Sequence, residues 1–125
     1  MYPTAASSHG LASALARRID SVLPDGFDSR AVGGRVQVCH DGVPVGSSAA
    51  PEILDSAPDS HAQIETASRA ALSSVQDLVT ETLTEPWPEG LPAAGARVVG
   101  SELRLWFGDE AAPGVELAAI RVDDL

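Results

Sequence analysis

The chain contains no lysine and no asparagine. Without lysine there is no Schiff base, no pyridoxal-phosphate anchor and no P-loop lysine. Without asparagine there is no acceptor for an N-linked glycan. Both residues have A-rich codons and alanine occurs twenty times, a bias expected of a GC-rich bacterial genome. There is a single cysteine, Cys39, so no disulfide framework forms within the chain. Basic residues are scarce as well. Eight Arg against eighteen Asp plus Glu give a formal net charge of −10. The arginines are scattered apart from Arg17–Arg18, which leaves no basic footprint for nucleic acid or for an anionic membrane. No apolar run approaches the ~18 residues that a membrane-spanning helix needs. The opening "MYPTAASSHG" lacks the basic start and apolar block of a signal peptide. The expected location is the cytoplasm.

What is present is ordinary for a globular domain. The 125 residues are 44% hydrophobic, which suits one domain over 1–125 with a core of its own. The acidity serves solubility. Its functional counterpart is a protein partner with a basic face.

The segment "VQVCHDGVPV" (36–45) places a thiol, an imidazole and a carboxylate in a row at Cys39, His40 and Asp41. Asp41-Gly42 between alternating apolar residues is a hairpin signal. A two-residue loop sets His40 opposite Val43, Cys39 opposite Pro44 and Val38 opposite Val45. Successive strand residues point to opposite faces, so Cys39 and His40 diverge and cannot act as a nucleophile–base pair. Asp41 is used by the turn. The three histidines, His9, His40 and His61, lack the spacing of metal ligands. No residue is assigned a catalytic, cofactor-binding or metal-binding role.

Two helices frame this hairpin. Over 8–23, Leu11, Leu15, Ile19, Val22 and Leu23 fall within an arc of about 120°, with Ser7 or Ser8 as cap and Pro24-Asp25-Gly26 as stop. Residues 46–59 read as a loop, pinned to the core by Ile53-Leu54. The longest element is a helix over 60–84, about 37 Å long. It is capped by Ser60 with Gln63 and ended by Pro86. Its apolar set, Ile64, Ala67, Ala71, Leu72, Val75, Leu78, Val79 and Leu83, spans roughly 160°. Glu65 and Arg69 form an i,i+4 pair on its polar side.

The remainder reads as turn and strand. "EPWPEGLPAAG" (85–95) is a Pro-rich turn whose Trp87 packs as a lid on the end of the core. "ARVVGSELRLWFG" (96–108) is a second hairpin, with Gly100 in the first turn position. "VELAAIRV" (115–122) supplies a third strand. Leu103, Leu105 and Phe107 mark one face of this sheet; Val99, Trp106, Ile120 and Val122 mark the other.

The order α-β-β-α-β-β-β defines an α+β domain: a two-layer or three-layer sandwich with a mostly antiparallel sheet and one long central helix. This order, with "DGVPVGSS" (41–48) before the long helix, is similar to that of roadblock-type (profilin-like) domains. That resemblance implies a homodimer that docks on a small GTPase and carries no catalytic residues.

The expected function is a non-enzymatic protein-interaction module, paired as a homodimer. The apolar arc of the long helix and the two apolar sheet faces exceed what two helices cover. The expected interface residues are Val75, Val79, Trp87, Trp106 and Ile120. An alternative is a small-molecule-binding domain or small enzyme with a pocket under the 85–95 loop, drawing on His40, Trp87, Trp106, Glu85 and Glu89. A further alternative is a secretion-type chaperone or adaptor.

Overall fold

A computed structural model describes residues 7–55, 61–90 and 92–125. Helix α1 runs over Ser8–Asp20, and the Ser7 hydroxyl accepts the Gly10 N–H at 2.9 Å to cap it. It stops three residues before the expected end. Leu23 precedes Pro24, whose ring disfavours helical backbone in the residue before it. The N–H groups of Val22 and Leu23 instead close a turn onto the Ile19 carbonyl.

The chain then enters a strand that the sequence reading passes over. Strand β1 (Phe27–Val32) pairs antiparallel with β2 (Arg35–His40) across Gly33-Gly34. Strand β3 (Val43–Ser48) follows the Asp41-Gly42 turn, and Asp41 and Gly42 have φ of 52° and 81°. Two positive φ values in succession are what a type I′ hairpin requires. His40 faces Val43 and Cys39 faces Pro44, as expected. A bulge then shifts the register, so Val38 faces Gly46 and not Val45. Val43 is 63% exposed while Val36 and Val38 are fully buried.

Residues 46–59 are not one loop. Their first part completes β3, and Ala50–Asp55 forms a 3₁₀ helix that buries Pro51 and Leu54. Helix α2 spans His61–Leu83. The Ser60 half of the expected capping box lies outside the described residues. Thr84, at φ 57°, turns the chain out of the helix.

The second sheet is built on a hairpin of β4 (Ala94–Val99) and β5 (Glu102–Asp109), turning at Gly100 with φ 63°. Strands β6 (Ala112–Glu116) and β7 (Ile120–Arg121) both pair with β5, one after the other along it. Leu117 N–H donates to the Leu105 carbonyl at 3.1 Å between them. Ala118-Ala119 is therefore an excursion within one broken strand, and it restores the inward face rather than reversing it. Ile120 pairs with Leu103 and shares its face, against the expectation that it joins Trp106 on the other.

Two separate sheets result among the described residues, β1-β2-β3 and β4-β5-β6 with β7, and the strands pair antiparallel throughout them. Helix α2 touches β2 and β3 of the first sheet and β4 and β5 of the second, and it also packs on the 3₁₀ helix. That explains its wide apolar arc. Its eight buried residues, Ser68 and Gln76 among them, occupy about 180° of the helix at 100° per residue. Helix α1 packs on β1, β2 and the 3₁₀ helix, and its Arg18 reaches the Ala119 carbonyl at 3.2 Å. One core cluster joins both helices with the inner faces of both sheets. The chain is of the α+β class, with one long helix at its centre.

Candidate functional site

The Cys39–His40–Asp41 row resolves as the strand geometry requires. The register sets Cys39 opposite Asp28 and Pro44, and His40 opposite Phe27 and Val43. The thiol is fully buried, and its nearest polar partner is Gln37 Oε1 at 3.9 Å. The imidazole stacks on Phe27 with ring centroids 4.4 Å apart, and its Nε2 lies 3.8 Å from Asp41 Oδ2. Thiol and imidazole belong to opposite faces of one strand. Among the described residues no group of three or more His, Cys, Asp or Glu is placed to hold a metal ion.

The five expected interface residues sit inside the chain's own packing. Val75 and Val79 face the core from α2, and Ile120 is 1% exposed beneath β5. Trp87 is half-buried; its ring meets Phe107 edge-on at 5.6 Å, and its backbone N–H donates to Thr80 Oγ1 at 3.1 Å. It is the lid that the turn composition suggests. Trp106 does stand on the outer face of its sheet, yet it is only 7% exposed. It lies flat over Gly95, its cross-strand partner, where a Cβ would overlap the indole. Arg97–Glu110 and Arg104–Glu116 ion pairs flank it on the same face. The apolar arc of α2 and the Trp106 ring both pack within the chain itself.

Among the described residues, two clefts offer room for a ligand. The first, about 470 Å³, lies between α2 and β4 and is lined by Glu65, Arg69, Gly95, Arg97, Trp106 and Glu110 with their neighbours. Trp87, Glu85, Glu89 and His40 do not line it. Its charges are largely spent: Glu65 accepts the Val98 N–H at 2.7 Å, and Arg97 donates to Glu110 at 2.7 Å. The expected Glu65–Arg69 pair is replaced by Glu65–Val98, which a helix-surface spacing rule has no means of anticipating. The second cleft, about 490 Å³, lies between α1 and β1.

Charge is the third feature. Arg30, Arg35, Arg97, Arg104 and Arg121 each pair with a nearby carboxylate, so five of the eight arginines are locally neutralised. Asp77 and Glu81 are exposed at i,i+4 on α2, and Glu85 and Glu89 are exposed on the following turn. No basic residue occurs between Arg69 and Arg97, and none of these four carboxylates makes an ion pair among the described residues. No described helix is long and apolar enough to cross a membrane. Set against protein-family models, curated proteins and solved structures, the chain matches none of them.

Proposed function

We propose that this chain is a protein-interaction domain that presents an acidic surface, Asp77 and Glu81 of α2 with Glu85 and Glu89 of the turn, to a partner with a basic face. The observation that carries this reading is the asymmetry of pairing. Most arginines are consumed by their own neighbours, whereas these four carboxylates are exposed and unpaired. A surface of one sign steers a complementary partner and speeds its encounter, an effect that salt screens. The diverging Cys39 and His40 side chains support a binding role over a catalytic one. Self-pairing through Val75, Val79, Trp106 and Ile120 forms no part of this proposal, since those side chains already pack within the chain.

A photo-crosslinking residue in place of Thr82, followed by mass spectrometry, tests the reading. Thr82 is half-exposed and adjoins Glu81. The expected product is a protein joined through a basic surface. It should be lost when Asp77→Asn, Glu81→Gln, Glu85→Gln and Glu89→Gln are combined. Crosslinks that survive this neutralisation would refute the acidic surface as the docking site.

A further inference from the structure

We propose that the free edge of β6 docks an extended segment of a partner chain, which joins the second sheet as a further strand and carries a basic residue between two apolar ones. Among the described residues the two sheets have four edge strands. Glu65 closes β4 at Val98, and Asp20 closes β1 at Ser29. Strand β3 packs against α2, with Leu78 seated over Gly46. Strand β6 packs on β5 and has no helix along it.

The ladder fixes which backbone groups this edge presents. Leu117 N–H donates to the Leu105 carbonyl, which makes Leu117 and Leu105 a hydrogen-bonded pair. The neighbouring pair, Glu116 with Trp106, is therefore of the other kind. The N–H and C=O of Glu116 both point away from β5. Among the described residues no turn, helix or side chain takes up either group. Pro113 has no N–H to offer, which centres pairing on Glu116.

Side chains then define the incoming segment. One of its residues bonds both backbone groups of Glu116, and its side chain stands beside Glu116 on the outer face. The Glu116 carboxylate is 60% exposed and meets Arg104 only at 3.9 Å, so it is open to a basic side chain. The residues before and after that one fall on the inner face, beside Val115 and Leu117, where apolar side chains fit. Charge decides against a second copy as occupant. Two β6 strands paired through Glu116 would set like charges directly opposite, on chains of formal charge −10 each.

Amide NMR at an ionic strength of about 0.1 M tests the edge, with the peptide acetyl-Thr-Val-Arg-Val-Thr-amide as probe and its Arg-to-Glu counterpart as control. The arginine peptide should shift the Val115 and Glu116 amides saturably. It should slow hydrogen exchange at the Glu116 N–H by about tenfold or more. The glutamate peptide should do neither, and Glu116→Arg should reverse the preference. Glu116→Pro removes the outward N–H and leaves the bonds to β5 in place, so it should abolish binding. Glu116→Arg keeps the proposal open to refutation where the proline variant does not fold. The variant combining Asp77→Asn, Glu81→Gln, Glu85→Gln and Glu89→Gln should bind the arginine peptide nearly as the parent does, because the β6 edge is a second surface. Absence of saturation, equal binding of both peptides, or shifts that survive Glu116→Pro in a folded protein would overturn the proposal. So would protection of the Glu116 amide that grows with protein concentration alone, since a second copy would then hold the edge.

Discussion

The carboxylate of Glu65, on α2, accepts a 2.7 Å hydrogen bond from the backbone N–H of Val98, on the outer edge of β4. The other sheet repeats the device: Asp20, at the end of α1, accepts the Ser29 N–H on the edge of β1. Each helix thus closes the edge of a different sheet with a carboxylate. Unpaired edge groups are templates for aggregation, and covering them is a common protection.

Glu65→Ala should lower stability by about 1–2 kcal/mol, because a half-buried N–H loses a charged acceptor. Glu65→Gln should recover most of that loss. Combined with Asp20→Ala the effects should add, since the sites are on separate sheets, and the double variant should aggregate more readily. Denaturant unfolding with light scattering checks this. A Glu65→Ala protein as stable as the parent would show that the bond contributes nothing.

Gly95→Ala should destabilise by about 1–3 kcal/mol, the range for overpacking. Its new Cβ would overlap the Trp106 indole, which then has to leave the sheet surface. A red shift in tryptophan emission should accompany the loss. Unchanged emission and stability would mean that Trp106 does not rest on Gly95.

Thr84→Gly should stabilise the domain by about 0.5–1 kcal/mol. Thr84 ends α2 at φ 57°, a conformation that costs a β-branched residue and suits glycine. By the same logic Gly42→Val, at φ 81°, should destabilise by roughly 1 kcal/mol or more. Thermal melts of both variants should move in opposite directions. Movement in the same direction would contradict the turn geometry.

Cys39 should resist thiol reagents in the native state and react fully once the chain is unfolded, because it is completely buried. Cys39→Ser should cost no more than about 1–3 kcal/mol, the penalty of a hydroxyl in that place. Rapid native-state labelling would refute the burial.

The legible parts of the fold were those with a strong local cause. Asp41-Gly42 and Gly100 announce turns, and the apolar arcs of α1 and α2 announce helices. Strand β1 was hidden although Gly33-Gly34 marks its end. Its inward residues are Phe27, Ser29 and Ala31, small or polar because α1 packs close and Ala16 accepts the Ser29 hydroxyl. The period-2 apolar signal is therefore missing. The wide arc of α2 exceeds what one sheet face needs, and no local signal in the sequence announces the second sheet that α2 also covers. The bulge at Val38/Cys39 and the break in the strand at Ala118-Ala119 shift residues relative to their partners, which simple alternation cannot follow. The grooves depend on residues far apart in sequence, such as Glu65 with Val98, and no local pattern encodes them.

The central claim is that the acidic surface of α2 and its following turn docks a basic partner. Once crosslinking has identified that partner, its association rate with the domain, measured across a range of salt concentrations, tests the claim most directly. The rate should fall steeply as salt rises. The variant combining Asp77→Asn, Glu81→Gln, Glu85→Gln and Glu89→Gln should associate at least about tenfold more slowly at low salt, within the range that electrostatic steering supplies. A rate that is independent of salt and equal for the two proteins would contradict it.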